Sequence, residues 1–157
     1  MIVITRNFTG ILDDWLASRG LARTDRNLAG RNGNGNGSTG LTLAQWTSAV
    51  KSVIALAPGP ARGLEIGKHV QLQHTGPLGY LLVNTRDLGG FLDTYLLLEK
   101  WFYGRNWARL DRFDTETSIA WDDRFGPHSR ELEQLHAMAL VTVAQAACPS
   151  AAVAHLP

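Results

Sequence analysis

The sequence has 157 residues, 45% hydrophobic and 18% charged, with fifteen basic against fourteen acidic side chains and a formal net charge of +1. This suits one domain with its own core, and it excludes wholesale disorder, a fibrous architecture and the strongly basic balance of a domain that neutralises many phosphates. A single cysteine, Cys148, excludes an internal disulfide and a cysteine-built zinc site, which fits a reducing compartment.

The opening Met1-Ile2-Val3-Ile4-Thr5-Arg6 is a short apolar run with no basic leader and no small-residue cleavage site, unlike a signal peptide. Phe8, Ile11, Leu12, Trp15 and Leu16 then recur at helical spacing, with Gly20 where a helix commonly stops. Arg31-Asn32-Gly33-Asn34-Gly35-Asn36-Gly37-Ser38 favours turns and is costly to order, so residues 31–38 are expected to form a flexible loop. A phosphate cradle would need a preceding strand and a Lys-Ser/Thr pair or fixed glycine spacing, and the run has neither.

Thr42 stands ready to cap a helix whose stripe is Leu43, Trp46, Val50, Val53, Ile54 and Ala57, closed by Pro58-Gly59-Pro60. A shorter helix carries Leu64 and Ile66 towards Val70, Gly76-Pro77 interrupts the chain, and Gly79 to Val83 is compact and apolar. Asp87 precedes Leu88, Phe91, Leu92, Tyr95, Leu96, Leu98 and Phe102, which predict a central, almost wholly buried helix ending at Gly104. Alternation over Asn106 to Phe113 and Thr117 to Trp121, around Asp114-Thr115-Glu116, predicts a β-hairpin. Pro127-His128-Ser129 leads into a last helix bearing Leu132, Leu135, Met138, Ala139, Val143 and Ala146. Ala152 to Leu156 looks like the opening of a further strand, so the 1–157 domain is expected to be cut short at its C-terminal end. The expected fold is α+β, mainly helical, with a small antiparallel β-hairpin or sheet packed on the central helix.

Chemistry-bearing residues are scattered. His69, His74, His128, His136 and His155 show no one-turn spacing for a metal face, and a solvent-facing or capping role is the reading for each. Asp13-Asp14 and Asp122-Asp123 are sequence neighbours that diverge on a helix or alternate on a strand, so they read as helix-start or turn residues. Cys148 reads as a buried inert thiol, and no nucleophile elbow occurs. No catalytic set, metal site or cofactor is expected. Tyr95, Trp101, Phe102, Tyr103, Trp107, Phe113 and Trp121 form an aromatic cluster that builds core or lines an apolar pocket. Tyr95, Trp107, Arg109 and Trp121 are the candidate ligand-binding residues, because they join stacking area to a polar or charged tip. Arg105, Arg109 and Arg112 either pair with an anion or stand solvated at a strand edge.

Gly63-Leu64-Glu65-Ile66-Gly67, then Gly76-Pro77-Leu78-Gly79-Tyr80-Leu81-Leu82, then Leu88-Gly89-Gly90-Phe91-Leu92 follow one another before the hairpin. In this order they resemble the N-terminal arabinose-binding-like domain of AraC/XylS-type transcription regulators, over roughly residues 41 to 157; the step around Asp122, Pro127 and Glu131 also fits. The glycines make sense as joints where helices approach closely. The resemblance implies a bacterial, cytoplasmic, homodimeric regulatory domain that senses a small effector, apolar or a small organic acid. It implies DNA contact only through a C-terminal helix-turn-helix domain absent from this sequence, no helix of which presents a basic, base-reading face. The longest apolar stretches are too short to span a bilayer, so no membrane partner is expected; the resemblance does not single out arabinose, since members of this branch respond to varied small molecules. Two other readings stand beside it: a stand-alone haem or lipid sensor, and a small enzyme.

Overall fold

The computed structural model describes residues 3–21, 40–122 and 129–149. In chain order the elements are β1 (Val3–Thr5), α1 (Arg6–Ser18), β2 (Gly40–Thr42), α2 (Leu43–Leu56), α3 (Arg62–Gly67), α4 (Leu72–Thr75), α5 (Pro77–Leu82), α6 (Leu88–Tyr103), β3 (Ala108–Arg112), β4 (Thr117–Trp121) and α7 (Arg130–Ala147). The fold is α+β and mainly helical, with two antiparallel two-stranded sheets. The 31–38 run, Asp123, Pro127, His128 and the Ala152–Leu156 segment lie outside the described residues.

Local chemistry sets most boundaries. Thr42 and Gln45 close a reciprocal capping box at the start of α2, satisfying two otherwise orphaned donors. The Asp87 carboxylate accepts from the Gly90 N–H at 2.8 Å at the start of α6, and Ser129 caps α7 through the Leu132 N–H. Gly104 ends α6 with φ +78°, a conformation that disfavours a Cβ.

β1 is not evident from the sequence. Its three residues pair antiparallel with β2 in the register Val3↔Thr42, Ile4↔Leu41, Thr5↔Gly40, and Ile4 is fully buried. The strand is too short to show an alternating pattern, and its partner lies more than thirty residues away.

The core is one cluster. It joins Phe8, Ile11, Leu12, Trp15 and Leu16 of α1 to Trp46, Val50 and Val53 of α2, Phe91 and Tyr95 of α6, and Leu132, Leu135 and Val143 of α7. Backbone proximity between α3 and α7 depends on two glycines: a Cβ on Gly63 would lie 2.1 Å from the Glu131 carbonyl oxygen, and one on Gly67 would lie 2.7 Å from that of Leu135. No helix of the described residues is long and apolar enough to cross a membrane.

The central helix corrects the expectation of near-complete burial. Phe91, Tyr95, Glu99 and Tyr103 form its inner face, but Leu97 is 67% and Trp101 79% exposed. Leu88, Leu92, Leu96 and Leu98 are only partly buried against the core, so the helix's apolar composition exceeds the area its neighbours cover.

Candidate functional site

Among the described residues Glu99 is the only fully buried acidic side chain, on the inner face of α6. The Trp107 N–H donates to its Oε2 at 2.7 Å, and the Ala108 N–H donates to Oε1 and Oε2 at 2.8 and 2.9 Å. Tyr95, one turn earlier, donates its hydroxyl to Oε1 at a long 3.4 Å, and the Trp121 indole N–H donates to the Tyr95 oxygen at 3.3 Å. One carboxylate thus ties the central helix to the first residues of the hairpin, while Trp121 ties the second strand to Tyr95 of the same helix. Burial pushes the Glu99 carboxyl above its ordinary range, against the opposing effect of the two amide donors. Burial, with Tyr103 and Glu99 close by, also raises Tyr95 well above the ordinary tyrosine range, and Tyr103 rises for the same reason. Both hydroxyls therefore stay protonated.

Beside this network lies a cavity of about 40 Å³. Its walls are Phe8, Val70, Thr75, Leu78, Leu82, Tyr95, Tyr103, Trp121, His136, Ala139, Leu140 and Val143. The lining is apolar apart from the tips of Tyr95, Tyr103, Trp121, Thr75 and His136, and contains no lysine, arginine or carboxylate. The space holds on the order of two or three waters, far less than the roughly 300–1,000 Å³ of a drug-sized ligand site.

His136 sits at the inner wall of the cavity. The Trp46 indole N–H donates to its Nε2 at 3.0 Å, so the neutral ring carries its proton on Nδ1. Trp46 lies parallel to the imidazole at 6.5 Å between centroids, and Trp107 meets it edge-on at 5.2 Å.

The four candidate residues fall into two adjoining spaces. Tyr95 and Trp121 line the cavity, whereas Trp107, Arg109 and Trp121 border an open groove on the hairpin with Asn106, Ala108, Ala120 and Asp122. Trp121 belongs to both and forms the wall between them. Trp107 is buried, and its indole N–H donates to the Asp122 carbonyl at 2.9 Å. The Arg109 side chain is 75% exposed and pairs with Asp111 at 2.8 Å. Arg112 pairs with Asp93, and Arg105 is exposed. Of the wider aromatic cluster, Tyr103 is buried while Trp101 and Phe113 face outward.

Three sequence expectations need correction. Asp13 and Asp14 lie in the second half of α1, not at a helix start or in a turn, and Asp14 pairs with His74 Nε2 at 3.0 Å. His136 neither faces solvent nor caps a helix; it is buried among aromatic rings because Trp46 satisfies its acceptor nitrogen. His74 does cap, accepting from the Gln71 N–H at 3.0 Å, yet it too is buried. Among the described residues no group of three or more His, Cys, Asp or Glu is placed to hold a metal ion.

Sequence reasoning missed Glu99 and His136. Glu99 had one usable signal, a lone acid one turn after Tyr95 on the apolar face of the helix, where a charge requires partners.

Comparison with known proteins adds the family. No curated protein and no solved structure matches the chain. The family described as the arabinose-binding domain of AraC transcription regulators, N-terminal, matches residues 35–156, which spans α2 to α7 and with them the Glu99 network and every wall residue of the cavity except Phe8. The chain therefore belongs to the family of N-terminal arabinose-binding domains of AraC transcription regulators.

Proposed function

We propose that this domain senses a small effector and passes its occupancy to DNA-binding partners through a homodimer. The family match over residues 35–156 carries the reading. In the intact regulator, DNA contact belongs to a helix-turn-helix domain outside this sequence, and the working compartment is the bacterial cytoplasm, where the buried thiol of Cys148 stays reduced.

The cavity beside Tyr95 is the proposed effector site. Its lining offers aromatic faces and neutral hydroxyl, indole and imidazole tips without a cation, which favours an uncharged, largely apolar molecule carrying one hydrogen-bonding group. At about 40 Å³ the cavity must open to admit one. Trp121 is the natural gate, being half-buried and held to Tyr95 by one long hydrogen bond. An effector that displaces it would loosen Tyr95 from Glu99 and shift the hairpin. The regulatory signal is then the difference in effector affinity between the two hairpin positions. A small organic acid would instead use the groove beside Trp107 and Arg109, outside the cavity.

Tryptophan fluorescence during titration with small neutral alcohols, lactones and organic acids tests the site. A neutral compound is expected to perturb emission in the wild-type chain and to lose at least tenfold in affinity in Tyr95→Leu, with Arg109→Ala unchanged. A response to acids alone, abolished by Arg109→Ala, moves the site to the groove. If no compound perturbs emission, the sensing role is dropped in favour of a purely dimerising domain.

A further inference from the structure

Of the seven large hydrophobic side chains exposed among the described residues, four lie on the adjoining helices α5 and α6: Tyr80, Leu81, Leu97 and Trp101. Leu81 and Trp101 share one groove of about 340 Å³ with Leu98, Pro77 and Thr5, Tyr80 and Leu81 share the neighbouring one, and Leu97 lies one turn of α6 before Trp101. Single exposed apolar residues need no explanation, but a contiguous patch on two helices marks a contact surface. The cavity and the hairpin network do not use it.

The pattern along α6 indicates what covers it. At about 100° per residue, the outward stripe runs through Gly90, Asp93, Thr94, Leu97, Lys100 and Trp101, with Leu97 at its centre. Asp93 and Lys100 fall on one side of the stripe, one before and one after Leu97. Gly90 and Thr94 fall on the other side before it, and Trp101 on that same side after it. A second α6 laid antiparallel over the first, about a two-fold axis passing beside Leu97, therefore brings each Asp93 within about one residue rise of the other helix's Lys100. It also sets each Trp101 indole over the small side of the other stripe, at Gly90 and Thr94. Acid meets base and the large ring meets the small residues, twice over, as an isologous contact requires. Asp93 keeps a side chain 62% exposed while it holds Arg112, so the carboxylate is accessible to a second cation.

We infer that the α5/α6 face is the surface on which a second copy of this chain docks, α6 against α6 in antiparallel with Leu97 at the centre. This rests on the dimeric part of the function proposed above and locates it on named residues. Trp121 itself stands off this stripe, but the hairpin reaches it through the Arg112–Asp93 pair, so hairpin movement and dimer contact meet at Asp93.

Sedimentation equilibrium on the 157-residue chain tests the surface, with near-UV circular dichroism to show that each variant keeps its packing. The wild type is expected to be a dimer at micromolar concentration, and Leu97→Glu a monomer. Lys100→Asp and Asp93→Lys are each expected to weaken association roughly tenfold or more, and the double substitution to restore it to within a few-fold, since the charges are exchanged and not removed. A wild-type dimer that none of these changes weakens overturns the surface and leaves the dimeric reading standing. Weakened single variants with no recovery in the double one overturn the antiparallel arrangement. A wild-type chain that stays monomeric at 100-fold higher concentration overturns the dimeric reading, and the surface with it.

Discussion

Glu99 shows how one side chain can hold two elements together at an electrostatic cost. Its carboxylate has no solvent contact and accepts both free amides at the start of the hairpin. Replacing it with alanine strands two buried donors at about 1–3 kcal/mol each, so Glu99→Ala is expected to lose on the order of 3–5 kcal/mol in denaturant unfolding. The pH dependence has a definite sign. Because its folded pKa lies above the ordinary value, the Glu99 contribution is fully present below the ordinary carboxylate range and is lost as pH rises through the raised value. Glu65, lowered chiefly by its bond to Arg62, and Glu131, lowered by its own backbone N–H and by Ser129, act in the opposite sense; their contributions are lost as pH falls. Melting curves between pH 4 and 8 should therefore show the wild type losing stability relative to Glu99→Gln as pH rises. A deficit in the variant that stays constant across this range would mean that Glu99 does not titrate there.

At the level of elements, the sequence was most legible where a boundary depends on one residue. Thr42, Asp87, Gly104 and Ser129 each end or start a helix through a local bond or a backbone conformation that their side chains favour, and no tertiary information is needed to read them. The hairpin was equally open, since its strands alternate on either side of a short polar turn. β1 was hidden because its identity depends on pairing with β2 and not on its own three residues. The outer stripe of α6 was hidden because Leu97 and Trp101 have the composition of core residues. Of the candidate site, the sequence yielded the aromatic members; Glu99 and His136 depend on partners 8 to 90 positions away. The glycine spacing in α3 was legible in kind, and the structure identifies α7 as the neighbour it admits. Gly63→Ala and Gly67→Ala drive a Cβ into the α7 backbone and are each expected to cost about 1–3 kcal/mol or more by thermal melting. Gly89→Ala meets nothing closer than the Asp87 carboxylate at 3.4 Å and should instead be neutral or stabilising by up to about 1 kcal/mol. Equal losses at all three positions would mean that α3 and α7 do not approach as closely as the two glycines allow.

For the whole molecule, the helical body and the hairpin differ in how they are held. The body buries Trp15, Trp46, Phe91, Leu132 and Leu135 completely, so its opening approaches global unfolding. In β3 and β4, by contrast, no residue is fully buried, and the hairpin's ties to the body include Trp107, the Glu99 carboxylate, the surface pair Arg112–Asp93 and the partly buried Ala108, Ile119 and Trp121. An element attached in this way can move without unfolding the rest, which a sensor requires: the part that responds must lie at the low end of the stability range while the scaffold stays at the high end. Native-state hydrogen exchange separates the two. The amides of β3 and β4 are expected to exchange well ahead of those in α2 and α7. Glu99→Ala should speed hairpin exchange about a hundredfold, the equivalent of roughly 3 kcal/mol in the opening equilibrium, while α2 and α7 change only as far as global stability falls. If the hairpin and α7 instead exchange together in both proteins, the domain opens as one unit, and displacement of Trp121 could not shift the hairpin on its own.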